Sequence, residues 1–93
     1  MSMHSDYQST RLAATGDIYG GPARIKGVYI VASATAGSIV IRDGGASGEV
    51  LCTLDTPGAA GMAYVDLGDG GLRCRSTAHA TLANLTAATF FYA

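Results

Sequence analysis

The sequence predicts a small all-β domain, folded as an antiparallel β-sandwich or a jelly-roll-like barrel of six to eight short strands. Three observations predict this class. Apolar and polar residues alternate with a period of two in several segments, and glycine-rich turn signals separate those segments about every 8–12 residues. The 93-residue chain is also 48% hydrophobic, enough for one core. We therefore assign residues 11–93 to a single β-sandwich domain and the polar, aperiodic residues 1–10 to an N-terminal arm.

The strands follow in order along the chain. Residues 11–14 form either a short first strand or the end of the arm. The first strong strand covers residues 23–33, with Ile25 and Tyr29 on one face and Val28 on the other, and its apolar centre predicts burial on both faces. The next predicted strands cover residues 38–42, 49–54, 62–67 and 72–75.

The C-terminal part of the chain is less regular. Residues 77–85 have alanine and leucine at helical spacing, so a helix competes with a strand there. The threonines and the β-rich surroundings favour the strand. Residues 88–92 are predicted to form a last aromatic strand, with Phe90 and Phe91 on opposite faces.

Cys52 and Cys74 are predicted to be free thiols in the core. Cys52 alternates with Val50 and Leu54 on one strand face, and Cys74 is in phase with Leu72. Without an export signal a structural disulfide is not expected, and without a CxxC spacing or a histidine close in sequence the pair is a poor zinc site.

The charge content argues against several functional classes. Only 14% of the residues are charged and the net charge is −1, whereas an average domain has about 25% charged residues. The six basic residues against seven acidic ones leave no footprint for nucleic acid. No apolar run approaches the roughly 20 residues of a membrane span, and the first residues lack the regions of a signal peptide. So few charges leave small neutral residues on the surface, which favours packing against other protein; a soluble Ala/Gly-rich domain without such packing is the alternative.

The titratable residues match no catalytic or metal-binding motif. His4 lies in the arm, His79 is interpreted as a polar side chain on a strand or loop, and no Gly-x-Ser-x-Gly elbow accompanies them. Aspartate at a glycine-rich turn usually binds nearby backbone N–H groups, which is our interpretation of the pairs Asp66/Asp69 and Asp43/Glu49. We predict no catalytic, cofactor-binding or metal-binding residues.

The aromatic residues do not predict a sugar-binding platform. The five tyrosines and two phenylalanines are spread along the chain, and most fall at predicted sheet-core positions. Only Tyr64 and Asp66, near a glycine turn, favour a carbohydrate site. The tripeptide Asn84-Leu85-Thr86 matches a glycosylation acceptor, which a chain without a secretion signal is not expected to use.

A longer pattern carries a family resemblance. Residues 27–44 have the sequence Gly-Val-Tyr-Ile-Val-Ala-Ser-Ala-Thr-Ala-Gly-Ser-Ile-Val-Ile-Arg-Asp-Gly, a strand, a small-residue turn and a second strand. Gly-Glu-Val-Leu-Cys-Thr-Leu-Asp-Thr-Pro follows over 48–57, a Gly-Asp-Gly-Gly-Leu turn over 68–72, and Thr-Phe-Phe-Tyr over 89–92. Over residues 22–93 this order resembles the small β-sandwich virion proteins of tailed bacteriophages.

The resemblance implies a non-enzymatic structural protein that is made in the host cytoplasm and resides in the virion. A head decoration or cement protein is the leading expectation, and a neck, tail or fibre-base component is the alternative. The implied partners are copies of the chain itself, in a symmetric oligomer such as a trimer, and the major capsid protein or another virion protein; neither nucleic acid nor membrane is expected. A small carbohydrate- or surface-binding β-sandwich module is the alternative from another class.

Overall fold

The computed structural model describes residues 8–68 and 70–93. These residues form nine strands: β1 (Gln8–Leu12), β2 (Gly16–Tyr19), β3 (Ala23–Ala32), β4 (Gly37–Asp43), β5 (Glu49–Thr56), β6 (Gly61–Asp66), β7 (Leu72–Cys74), β8 (Ala78–Ala83) and β9 (Leu85–Tyr92). One sheet, sheet A, has the order β1-β9-β3-β6, with β7 also paired to β3. The other, sheet B, has the order β2-β8-β4-β5. Every pairing is antiparallel, so the predicted all-β antiparallel sandwich is confirmed.

The strand number exceeds the predicted six to eight because the N-terminal region is more ordered than its composition suggests. β1 includes residues 8–10 of the segment assigned to the arm, and it pairs with β9 along its whole length. Leu12 ends β1 and packs against the core. β2 follows in sheet B, where Ile18 is buried. Residues 1–7 of the predicted arm lie outside the described residues.

The core lies between the two sheets and is built from inward-facing aliphatic and small side chains. Both sheets contribute, so neither sheet can bury its inner face without the other. The largest fully buried side chains are Phe90, Ile25, Ile39, Ile41, Val28 and Cys74. The small residues Ala78, Ala80 and Ala88, also buried, let the sheets approach closely around them.

A β-bulge in β3 changes the faces that simple alternation predicts. Ile25 lies opposite Tyr92, but Gly27 lies opposite Phe91, so Lys26 is the extra residue. Ile25 and Val28 are therefore both fully buried, although the alternation placed them on opposite faces. An extra residue shifts every later side chain to the other face of the sheet. Tyr29 accordingly points away from the core.

A second bulge makes the prediction for Val50 wrong. Ile41 lies opposite Cys52 and Arg42 lies opposite Val50, so Leu51 is the extra residue of β5. Leu51 and Cys52 consequently pack against the core, while Val50 is 49% exposed. Because the bulge depends on the pairing with β4, the β5 sequence alone cannot reveal it.

The C-terminal region resolves the choice between helix and strand in favour of the strand, since it forms β8 in sheet B and β9 in sheet A. β8 and β9 are joined at Asn84, which has a φ of 56°, a conformation that asparagine tolerates better than most residues. The Asn84 side chain donates to the Ala36 carbonyl at 3.2 Å, which ties this turn to the β3–β4 loop. Phe90 is fully buried and Phe91 is half-buried on the other face, as predicted.

Among the described residues no helix is long and apolar enough to cross a membrane.

Candidate functional surface

Two regions of the sandwich bring functional side chains together. One is a polar row across the outer face of sheet B. The other is an aromatic cluster on the outer face of sheet A, which continues into an open side of the sandwich. The polar row contains His79, the histidine that the sequence places on a strand or loop.

His79 forms a cross-strand pair with Asp17. The two residues lie opposite each other on β8 and β2, and His79 Nδ1 is 2.8 Å from Asp17 Oδ1. His79 is 6% exposed, and its Nε2 is buried without a hydrogen-bond partner. An acid–base histidine must reach a substrate with the nitrogen that its carboxylate partner leaves free. Here that nitrogen is enclosed, so this geometry suits a structural pair rather than proton transfer.

Arg42 continues the polar row on the next strand. It lies opposite His79 in the pairing of β4 with β8, and its Nη1 donates to the Gly48 carbonyl at 3.2 Å. The Arg42 Nε is buried without a partner. The guanidinium therefore ties β4 to the β4–β5 turn.

Asp43 accepts backbone N–H bonds, as expected for this carboxylate, but from the distant loop between β7 and β8 rather than from its own turn. Its oxygens accept hydrogen bonds from the backbone N–H groups of Arg75 and Ser76, at 3.0 and 2.9 Å, and from the Ser76 hydroxyl at 3.2 Å. The N–H of Arg75 contributes most to lowering the pKa of Asp43 below its ordinary value of 3.8, followed by that of Ser76. Glu49 lies opposite Asp43 in the strand pairing, but the Asp43 oxygens are directed to the loop.

Asp66 also has a turn role. Its Oδ1 accepts a hydrogen bond from the Gly68 N–H at 2.9 Å, which is the geometry of an Asx turn. Asp69, its proposed partner, and His4 lie outside the described residues. Among the residues that are described, no group of three or more His, Cys, Asp or Glu side chains converges on a common point.

The two cysteines are free thiols in different environments. Cys74 is 1% exposed, and burial, aided by the negative charge of Asp43, raises its pKa to about 11. Cys52 is half-buried and packs against the edge of the core. A buried thiol with a raised pKa is a packing residue rather than a nucleophile.

The aromatic cluster lies on the outer face of sheet A. Tyr64 lies opposite Tyr29 on neighbouring strands, and the ring centroids of Tyr64 and Phe91 are 6.2 Å apart with an interplanar angle of 58°. The Tyr29 hydroxyl donates to the Met62 sulfur. Met62 is 71% exposed and Tyr64 is 57% exposed, so these side chains present an apolar surface to solvent.

Gly27 provides the space that the Tyr64 ring occupies. A Cβ on Gly27 would collide with the Tyr64 hydroxyl and lie 2.6 Å from its Cζ. Glycine within a strand often marks such a close approach. The ring thus lies flat along β3 toward Phe91, which places the three outer aromatic residues in one cluster.

The sandwich is open on the side where β5 and β6 run along the edges of the two sheets. A groove of about 430 Å³ lies between them. Five of the six residues of β6 are exposed, including the inward-facing Ala63. The groove is lined mainly by apolar residues, among them Ile30, Ala32, Leu54, Pro57, Ala63 and Val65.

The aromatic cluster was not predicted from the sequence. The expected core position of most aromatic residues is correct for Phe90 and Tyr92, but Tyr29 lies on the outer face. Tyr64 was predicted as a candidate surface residue, without its contact with Phe91. A signal was present in Gly27, since a glycine inside an apolar strand suggests that something packs closely on it. Which side chain does so depends on the strand order.

Comparison of the chain with protein-family models, with curated proteins and with solved structures finds no match.

Proposed function

We propose that this chain is a non-enzymatic structural protein that works as a subunit of a larger assembly. The exposed apolar surface formed by Met62 and Tyr64 on β6 carries the proposal, because Met62 is 71% and Tyr64 57% exposed. Contiguous exposed apolar residues beside an unfilled groove are typical of protein–protein contact surfaces. Tyrosine and methionine are also enriched at such interfaces.

The low charge of the chain supports the same function. Only 14% of its residues are charged, and β6 has a single charged residue, Asp66. A weakly charged surface requires little desolvation of ions when it is covered by another protein. Many modest contacts between copies then add up to a stable assembly.

The assembly we propose is the virion of a tailed bacteriophage, on the strength of the resemblance over residues 22–93. The chain acts there as a head decoration or cement protein that stabilises the capsid as a symmetric homo-oligomer, in contact with the major capsid protein. A place in the neck, tail or fibre base is the alternative within this class.

A carbohydrate- or surface-binding module is the second candidate, and the exposed Tyr64 is the observation that favours it. The neighbouring ring of Phe91 is tilted by 58° relative to Tyr64, so the two rings do not form a flat platform for a sugar chain. A protein surface, which can adapt its side chains to tilted rings, fits the cluster better.

Quantitative mass spectrometry of purified virions tests the proposed function. A copy number close to that of the major capsid protein supports lattice-wide decoration. A few copies per particle support the neck, tail or fibre base. Absence of the chain from virions would refute the proposal and favour the binding module, which a glycan array would then test with a Tyr64→Ala variant as control.

A further inference from the structure

Among the described residues, β6 is an edge strand that lacks the protective charges and bulges found on the edge strands β1, β2 and β5. Natural proteins protect sheet edges with charges and bulges, because free backbone groups there can pair with another strand. β1 carries Arg11, β2 carries Asp17 and a bulge, and β5 carries Glu49, Asp55 and a bulge. β6 pairs regularly with β3, and its only charge, Asp66, is at its end. This edge is therefore unprotected.

The backbone pattern shows which groups of β6 are free to pair. The N–H of Leu67 donates to the carbonyl of Lys26 at 3.0 Å, and hydrogen-bonded residues alternate along an antiparallel strand. The odd-numbered residues of β6 are thus directed to β3. The N–H and C=O groups of Met62, Tyr64 and Asp66 are directed away from the sheet, and an extended strand can pair with them.

We propose that the partner of this edge is a second copy of the chain, paired antiparallel through β6 about a twofold axis perpendicular to sheet A. This inference rests on the proposed function as an assembly subunit. It specifies the contact as edge-to-edge pairing, which joins two copies of sheet A into one continuous sheet.

The sequence of β6 is complementary to itself in the register centred on Tyr64. Met62 then lies opposite the second copy's Asp66, so no like charges meet. Tyr64 lies opposite the Tyr64 of the second copy, and the two rings form a cross-strand aromatic pair on the outer face of the joined sheet. On the inner face the small, exposed Ala63 lies opposite the larger Val65 of the second copy, and these side chains cover both grooves.

The size of the edge predicts a weak dimer. Six residues of strand extend about 20 Å, and the shortest dimension of the domain is 20 Å, so the contacting side measures roughly 400 Å² per copy. Contacts of this size belong to weak, transient complexes. We expect a dissociation constant of roughly 10 μM to 1 mM, which an ordered assembly would strengthen by multivalency.

Sedimentation equilibrium of the full chain at concentrations up to about 1 mM tests the pairing, with a matched pair of variants. Met62→Pro removes the N–H that faces the edge, and Met62→Ala removes the same side chain but keeps that N–H. We expect Met62→Pro to be monomeric and Met62→Ala to dimerise. A monomeric wild type, a dimeric Met62→Pro or a monomeric Met62→Ala would overturn the proposal.

A charge pair tests the register without relying on the folding of a proline variant. Met62→Asp places like charges opposite each other at two symmetric positions, so we expect about 2- to 30-fold weaker dimerisation. Met62→Lys places opposite charges there and should dimerise at least as tightly as the wild type, with the difference between the variants reduced at high salt. Equal effects of both substitutions would refute the register. If the chain dimerises in solution but is absent from purified virions, only the proposed virion function is refuted. If the chain is present in virions but stays monomeric at every concentration tested, only the β6 pairing is refuted.

Discussion

The two sides of this sandwich differ in how they close the core. On one side, β1 of sheet A and β2 of sheet B are in contact, because the Thr10 hydroxyl donates to the Ile18 carbonyl at 2.9 Å, and Ile18 is only 3% exposed. On the other side, β5 and β6 leave a groove whose inner residue Ala63 is exposed. The chain thus completes its core on one side only. The open side is where we expect a partner to bind.

The largest expected effect on the free energy of unfolding comes from a substitution in the core of the closed side. Ile18→Ala removes a buried aliphatic side chain and leaves a cavity, so we expect the free energy of unfolding to fall by about 2–5 kcal/mol. Met62→Ala on the open side removes an exposed side chain and should change it by less than about 0.5 kcal/mol. Urea denaturation of the dilute protein measures both. Similar losses for the two variants would contradict the difference between the sides.

The reactivity of the two thiols shows how far the open region extends, because Cys74 lies on β7, which pairs with the same edge of β3 as β6. Cys74 has a pKa of about 11, so about one thiol in a thousand is ionised at pH 8, and burial restricts access as well. Cys52 lies half-buried on β5, beside the open side. We expect alkylation of native protein by iodoacetamide to modify Cys52 at least about tenfold faster than Cys74, as mass spectrometry of tryptic peptides would show. Faster modification of Cys74 would contradict its burial, which we describe at 1% exposure.

Gly27→Ala tests how the aromatic cluster is seated. The new Cβ occupies the space of the Tyr64 ring, which can swing outward because it lies at the surface. We expect a change of less than about 1 kcal/mol in the free energy of unfolding, since the lost ring contact and the reduced entropy of the unfolded chain partly offset each other. NMR contacts between the Tyr64 and Phe91 rings should disappear. Their survival in the variant would contradict the close approach that we describe.

The smallest expected effect is a pH-dependent contribution from Asp43, which belongs to neither side. Its pKa is lower in the folded protein than the ordinary value of 3.8, so its ionised form contributes stability that is present above about pH 4 and is lost as the pH falls through the folded pKa. Thermal unfolding of wild type and Asp43→Asn between pH 2 and 6 should therefore show the largest difference at pH 5–6 and a difference that shrinks as the pH falls. A constant difference across this range would refute the role of the ionised carboxylate.

The strands could be predicted from the sequence because their cause is local. Period-two alternation between glycine-rich turns is visible in segments such as residues 62–67, and the threonines in residues 77–85 correctly favoured a strand. The faces of β3 and β5 could not be predicted in full. Their bulges at Lys26 and Leu51 arise from pairing with strands far away in sequence.

The candidate surface was beyond sequence reasoning for a related reason. Tyr29, Tyr64 and Phe91 are widely separated in the chain, and they meet only because β3 lies between β6 and β9 in sheet A. The open side likewise follows from which strands occupy the sheet edges. Such information is contained in the strand order, which turn signals do not specify.

Amide hydrogen exchange measured by NMR over a range of protein concentrations tests the central claim most directly. In the unmodified protein it compares β6, the edge strand of sheet A on the open side, with β1, the edge strand of sheet A on the closed side. We expect protection of the Met62 and Tyr64 amides to increase with concentration, while the amides of β1 (Gln8–Leu12) stay unchanged. Concentration-independent exchange in β6, or increased protection in β1 instead, would contradict the claim that the open side of the sandwich is the assembly surface.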